Sequence, residues 1–409
     1  MREPYQTQPF FAEKTPETER AFKYDHEIGF IGDTNGDLKG FLKNLLSLGY
    51  VEMMLGAQLL DEQTVLKQDV GDIVKNAEFF WKAGNAHLYL LGDVLGDRQG
   101  EGDKILAVVS ILREQATSQG GDIVVHFGNH DASAVKYLVY GQTKSVVDIS
   151  PCPLDEYMSF SHDAEEDNGF GEPELYFDRE AMYQDEKFIE HIRHIKENYE
   201  IIRVENETLF LHPDVRATSF MELCEKYRRI LHSENPAYTL QTNIPPTQIS
   251  VLAERMQKDF KQGLDDLFPE KTEGGKTVIE FLPEEKRLAI AKRFFEDEGI
   301  VAVLSGLDMD RALGLDHTQA GVFPAEYKEY PKRFIDFLRN RGIKRIVFGH
   351  TPHTLQIYND FQVISTDGKS LSTNDKFSCG KIGKDGTLDY NVTPRTAKDA
   401  AQERLRNGA

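Results

Sequence analysis

Basic residues are outnumbered in this chain, cysteine is rare, and no apolar run is long enough to cross a bilayer. Against 68 Asp and Glu stand 48 Lys and Arg, a formal charge of −20. That balance argues against nucleic acid as the main partner, because phosphate backbones are held by clustered Lys and Arg. The three cysteines, Cys152, Cys224 and Cys379, lie far apart with no C-x-x-C pair, so a disulfide scaffold is not expected and a reduced compartment is. A cysteine-dependent phosphate chemistry is also closed, because the C-x5-R loop it needs would place Arg six residues after the thiol and Ile230 follows Cys224 there. The first twenty residues are polar and lack an apolar core segment. The expectation is therefore a cytosolic chain, or one exported without a secretory signal peptide.

What is present is a repeated local pattern. Ile28 to Gly32 is a short apolar run ending in Gly-Asp, followed by Leu38, Phe41, Leu42, Leu45 and Leu46 at helical spacing. His87 to Leu91 reads as a buried strand ending at Gly92-Asp93, with Ile105, Val108, Val109 and Leu112 on a following helix. Ile123 to Phe127 then leads into Gly128-Asn129-His130-Asp131 and a helix from Ala132 to Tyr140. Three strand-loop-helix units predict an α/β fold with polar loops gathered at strand ends. No internal repeat of longer period is evident.

Further on, 155–190 is acidic and aperiodic and reads as an insertion, a solvated surface being favoured over a docking site for basic substrate. Ile201 to Val204 and Thr208 to Leu211 predict a hairpin ending at His212. Residues 221–297 predict a mainly helical cap, broken near Asn243–Pro246 and at Gly274-Gly275. Strands are expected again at Ile300–Leu304, Ile346–Phe348 and Gln362–Ser365, and a polar tail from Thr393. The domain plan is an extension over 1–24, one domain over 25–392 with insertions near 51–84 and 150–200 and a cap near 217–298, then a tail over 393–409.

Five segments carry the chemistry. They are Gly32-Asp33-Thr34-Asn35-Gly36-Asp37, Gly92-Asp93-Val94-Leu95-Gly96-Asp97-Arg98, Gly128-Asn129-His130-Asp131, Leu211-His212 and Gly349-His350-Thr351-Pro352-His353. Each follows an apolar strand, so all five can present polar residues at one edge. Their order resembles the PPP-type, calcineurin-like metallophosphoesterases, whose signatures read G-D-x-H-G, G-D-x-x-D-R-G, G-N-H-E/D, a lone His and a late G-H. The resemblance runs from about Glu27 to Asp367.

That resemblance implies a metallophosphoesterase-like β-sandwich of two mixed sheets flanked by helices, in αββα layers, with a helical cap insertion. It implies two divalent cations, manganese before iron or zinc, with Asp93 bridging them and Asp33 on the first. Asn129, His212 and His350 would hold the second. Two cations about 3.5–4 Å apart lower the pKa of a shared water and grip phosphate oxygens, so the implied reaction is direct attack of a metal-bridging hydroxide on a phosphomonoester. By the same likeness His130 is the general acid, Asp97 orients its imidazole, and Arg98 and Arg311 clamp the phosphate. A phosphoprotein is the implied substrate, phosphoserine/threonine or phosphotyrosine. Some bacterial members of this fold, exported effectors among them, accept phosphotyrosine.

The sequence departs from the pattern at four places. Asn35 stands where the family has a histidine ligand, and its carbonyl oxygen is a weaker ligand than imidazole. Gly96 is an extra residue between Asp93 and Arg98. Pro213-Asp214 replaces two glycines after the lone His, and Phe127 replaces a frequent Arg. His353, three residues after His350, is offered as helping to replace the missing imidazole, with a role at the surface or behind the ligands favoured over ligation. Blander readings stand beside these: Asp33 and Asp93 as N-cap residues, Arg98 and Arg311 as ordinary ion-pair partners, and His212 and His350 as satisfied core histidines. His191 and His194 read as a solvated helix face, and His126 as packing inside its strand. The rival functions are a nucleotide or dinucleoside-polyphosphate hydrolase on the same fold, and a degenerate module that only binds phosphate.

Overall fold

The computed structural model describes residues 24–95, 101–140, 158–160, 175–177, 183, 186–213, 217–234, 246–295, 300–305, 332–349, 356–358, 361–366 and 379–390. Among the site residues expected above, Asp97, Arg98, Arg311, His350 and His353 lie outside them.

Two mixed sheets form the centre of the α/β fold. The first has six strands in the order Leu388–Tyr390, Cys379–Ile382, Ile28–Ile31, His87–Leu90, Asp122–His126 and Tyr199–Glu200. Ile28–Ile31, His87–Leu90 and Asp122–His126 run parallel, as the strand-loop-helix reading requires, and Cys379–Ile382 closes one side antiparallel. The second sheet has five strands, in the order Arg203–Glu205, Thr208–Phe210, Arg345–Phe348, Phe361–Ser365 and Gln356–Tyr358.

The central strands are mostly apolar because both faces are covered. Ile28, Phe30, Tyr89, Leu91 and Val124 from the first sheet share one buried cluster with Phe210, Val347 and Ile364 from the second. The Tyr89 and Phe210 rings stack across this layer with centroids 4.0 Å apart and planes within 2°. On its other side the first sheet packs against Leu38–Ser47 and Gly102–Ser118, whose Leu38, Phe41, Leu42, Leu45, Ile105, Val109 and Leu112 are fully buried. Those are the helical stripes predicted from spacing.

The expected hairpin forms, with Arg203–Glu205 and Thr208–Phe210 joined through Asn206 (φ 46°) and Glu207 (φ 61°). Positive φ at both central residues matches the right-handed strand twist and is tolerated best by Asn. Two expectations fail. Ile300–Leu304 is a short helix, not a strand. Its apolar run is buried among helices, where period alone does not separate a buried helix from a buried strand. The stretch around Gly274-Gly275 is not a mere helix break but a hairpin, Glu270–Glu273 paired with Lys276–Ile279. Residues 51–81 hold a separate three-stranded sheet, Gln58–Leu60, Val51–Leu55 and Ala77–Trp81. No helix among the described residues is long and apolar enough to cross a membrane.

The helices Ala217–Glu234, Pro246–Leu267 and Glu284–Phe295 pack beside the open edge of the first sheet. Gln257 accepts from the Ile201 N–H at 2.8 Å and donates to the Tyr199 carbonyl, and Phe260 meets Phe127 at 5.1 Å. The helix Glu186–Asn198 leaves His191 and His194 half-buried, where a solvated face was expected. His194 meets the Ser110 hydroxyl at 2.9 Å, and burial followed by the charge of His194 pushes His191 down to about 4.

His126 is fully buried, and both of its ring nitrogens lack a hydrogen-bond partner among the described residues. Burial first, then the neighbouring His212 and Arg203, push it down from 6.5 to about 3. For a base with a lowered folded pKa, stability is full above about pH 6.5. It falls as the pH drops toward 3, because the unfolded chain takes a proton that the folded one refuses. His126→Leu is expected to flatten the stability profile over that window by up to about 1.4 kcal/mol per pH unit, measured by urea unfolding at pH 4 to 7.

Candidate functional site

Three parallel strands of the first sheet and one strand of the second end near a common point. Asp33 follows Ile28–Ile31, Asp93 follows His87–Leu90, Asn129 follows Asp122–His126, and His212 follows Thr208–Phe210. All four side chains are buried, none exposed by more than 5%. One ligand atom each from Asp33, Asp93 and His212 lies within 4.8 Å of the other two. His212 Nδ1 is 3.6 Å from Asp33 Oδ1, and its Nε2 is 3.4 Å from Asp93 Oδ1 and 3.0 Å from Asn129 Oδ1.

The hydrogen bonds of His212 fix its role. Nδ1 lies 2.6 Å from the Leu91 carbonyl oxygen, which only accepts, so Nδ1 carries the hydrogen. In the neutral ring Nε2 then turns its lone pair toward the oxygens of Asn129 and Asp93. Three electron-rich atoms facing one another repel unless a proton or a metal cation lies among them. Ligand atoms roughly 2.0–2.2 Å from one ion sit about 3–3.5 Å apart when they share its shell, and these separations match. The donor set therefore fits a metal ion.

Gly128 and Gly349 leave space for carboxylates of neighbouring loops. A Cβ on Gly128 would lie 2.2 Å from Asp93 Oδ1, and one on Gly349 would lie 2.0 Å from Asp33 Oδ1. Gly349 also donates to the His212 carbonyl at 2.8 Å, which brings the start of the late Gly-His segment to the site. Asp93 itself has φ 51°. A non-glycine residue in that region is strained, and such strain collects where a site dictates the backbone.

Asp33 and Asp93 are not the N-cap residues of the helices that follow them, which are Asp37 and Glu101. The helix Leu38–Ser47 is capped by Asp37, whose Oδ1 accepts from the Gly40 N–H at 2.9 Å. Burial, with Glu101 nearby, pushes Asp37 up to about 6. Asn35 turns the chain at φ 51°, and its amide nitrogen donates to the Asp33 carbonyl at 3.3 Å. His130 is half-buried, and its backbone N–H donates to Asp93 Oδ1 at 3.0 Å.

Sequence reasoning missed the residue that holds the loops together. Asp131 is fully buried. Its Oδ1 accepts from Val94 N (3.0 Å), Leu95 N (2.6 Å) and the Tyr199 hydroxyl (2.7 Å), and its Oδ2 accepts from Gly128 N (2.8 Å). Burial, then the charge of Asp93, push Asp131 up to about 7 against those donors. The Asp was visible in the Gly-Asn-His-Asp run, but nothing local points to its partners, 36, 37 and 68 residues away. Asp131→Asn replaces one acceptor oxygen with a donor facing N–H or O–H groups. It is expected to cost about 2–4 kcal/mol, read by urea unfolding, and to weaken metal binding, read by calorimetry.

No family model matches the chain, and no curated protein does. Among solved structures, a cold-active protein-tyrosine phosphatase of a psychrophilic Shewanella species is similar at 14% identity and a TM-score of 0.43, covering 90% of this chain and 80% of that one. A further structure of a cold-active protein tyrosine phosphatase gives 12% and 0.41, covering 89% of this chain and 78% of that one. The phosphatase domain of the Legionella effector WipB gives 11% and 0.31, covering 83% of this chain and 98% of that domain.

Proposed function

We propose that this chain is a metal-dependent phosphatase of the metallophosphoesterase type, acting on phosphomonoesters and in particular on phosphoproteins. The observation that carries the reading is the convergence of Asp33, Asp93 and His212 to within 4.8 Å at the ends of separate strands, in motifs ordered as in the calcineurin-like family. Asp33 would hold one cation, Asp93 would be shared, and Asn129 and His212 would hold the other, with His350 and His353 completing the set from outside the described residues. Mixed oxygen and nitrogen donors suit manganese, iron or zinc better than calcium. When bound, a pair of such cations supplies charge neutralisation for the phosphoryl group and a water made acidic enough to react at neutral pH.

The protein's own part is positioning and proton transfer. The Leu91 carbonyl fixes the His212 tautomer so that Nε2 faces inward. Asp131 ties the Asp93 loop to the Asn129 loop, so the two ligands keep their spacing. His130 is held next to Asp93 through its backbone and stays partly exposed. Its imidazole would donate a proton to the departing alkoxide or phenoxide. Asp97 would orient that ring, and Arg98 and Arg311 would hold phosphate oxygens. The phosphoprotein preference rests on the motif likeness to the protein-phosphatase branch.

A second reading draws on Asn35. Its amide serves the turn through the Asp33 carbonyl, which favours a weakly held first cation and, at the limit, a module that binds phosphate without turning it over. Manganese-dependent hydrolysis of p-nitrophenyl phosphate separates the two. Wild type is expected to turn over, and Asp93→Asn to lose at least about 100-fold. Equal rates in both, or no turnover with retained phosphate binding, would sink the enzymatic reading. A phosphopeptide panel set against dinucleoside polyphosphates then decides the substrate class.

A further inference from the structure

At the opposite end of the strand His87–Leu90 lies a second group of metal-type donors. We infer that His26, His87 and Glu205 form a binding site for one zinc-class divalent cation, separate from the Asp93 centre. About 3.3 Å per residue puts the two ends of that strand roughly 10 Å apart, so the two groups share no residue.

The three donors come from three parts of the chain, with Glu205 118 residues from His87 and 179 from His26. One atom from each lies within 4.8 Å of the others. His26 Nε2 is 2.5 Å and His87 Nδ1 2.9 Å from the same carboxylate oxygen, Glu205 Oε1, hydrogen-bond contacts that an ion taking the place of the hydrogens would open to about 3–3.5 Å. The two rings stack on each other at 3.9 Å with planes 24° apart. The Tyr89 hydroxyl donates to the other oxygen, Oε2, and fixes the carboxylate from behind. Outer partners of that kind orient metal-binding carboxylates and histidines.

The backbone holds this arrangement in place. Ile28 pairs with His87 in the sheet, and the His87 N–H donates to the Glu27 carbonyl at 2.9 Å, which sets His26 beside His87. Glu205 ends the strand at the Asn206-Glu207 turn. Burial pushes Glu205 up, but His87, Tyr89 and His26 outweigh it and bring the carboxyl down to about 2, so the oxygen is charged at any working pH.

Two imidazoles and one carboxylate are a borderline donor set that takes zinc, cobalt or nickel in preference to magnesium or calcium. The side chains of His26, His87 and Glu205 are 16%, 16% and 13% exposed. That is enough to admit an ion and leave one position for water. Bound there, the ion ties the segment before the first strand to the first sheet and to the hairpin of the second.

The probe is zinc alone, added to chelator-stripped full-length protein and counted by elemental analysis after gel filtration. Glu205→Gln and the His26→Ala/His87→Ala pair are each expected to bind one zinc fewer per chain than wild type. Asp93→Asn is expected to keep this zinc while losing metal elsewhere. Equal zinc in wild type and Glu205→Gln would overturn the proposal and leave a hydrogen-bonded His-Glu-His group only. A measurement on the unmutated chain guards against variants that fail to fold. Diethylpyrocarbonate labelling of His26 and His87, located by mass spectrometry, is expected to fall at least about fivefold when zinc is present. Unchanged labelling would overturn the proposal equally.

Discussion

Four hydrogen bonds to one buried carboxylate tie the loops of the candidate site together. Asp131 takes the backbone N–H groups of Val94 and Leu95 from one loop, that of Gly128 from another, and the hydroxyl of Tyr199 from the edge strand of the same sheet. These loops leave adjacent parallel strands, and nothing in the strand pairing itself sets how they approach beyond the last ladder bond. With the carboxylate between them, Asp93 and Asn129 fall on either side of His212 Nε2, at 3.4 and 3.0 Å. The cost is burial of a charged group beside Asp93, which shows as the upward push on the Asp131 carboxyl.

The same economy of space explains the residues around the clamp. Gly128 and Gly349 leave room for carboxylate oxygens, where a methyl group would be driven into Asp93 or Asp33. His212 is held from behind by the Leu91 carbonyl, so the ring has one nitrogen committed and one facing Asp93 and Asn129. Beneath the site, the two sheets meet through Phe30, Tyr89, Leu91, Phe210, Val347 and Ile364. That layer fixes the strand bearing His212 against the strands bearing Asp33 and Asp93. His126 lies buried in the same strand as Val124 and Val125, a polar ring without a hydrogen-bond partner among the described residues.

Much of this was legible in the chain. Apolar runs ending in Gly-Asp or Gly-Asn predicted three strands with polar loops at their ends, and the periodic leucines and valines predicted the helices that follow them. The hairpin before His212 was readable from two short apolar runs flanking Glu-Asn-Glu. Local pattern failed at Ile300–Leu304, where a five-residue apolar run in a helical environment carries no period to read. It failed again at Gly274-Gly275, where a pair of glycines marks a helix break and a hairpin turn equally well. His191 and His194 were misjudged because helical spacing tells which residues share a face and not whether another element covers it.

Sequence by itself determined which residue types stand at the strand ends, because the middle of a strand buried on both faces is mostly apolar, and the polar residues that follow are conspicuous. It also determined the glycines beside them. Only the tertiary structure decided that Asp33, Asp93 and His212 share one point, that Asp131 is the tie between their loops, and that His26, His87 and Glu205 meet at the far end. Those distances depend on sheet order and on packing between the two sheets, which are long-range properties that no window of sequence contains.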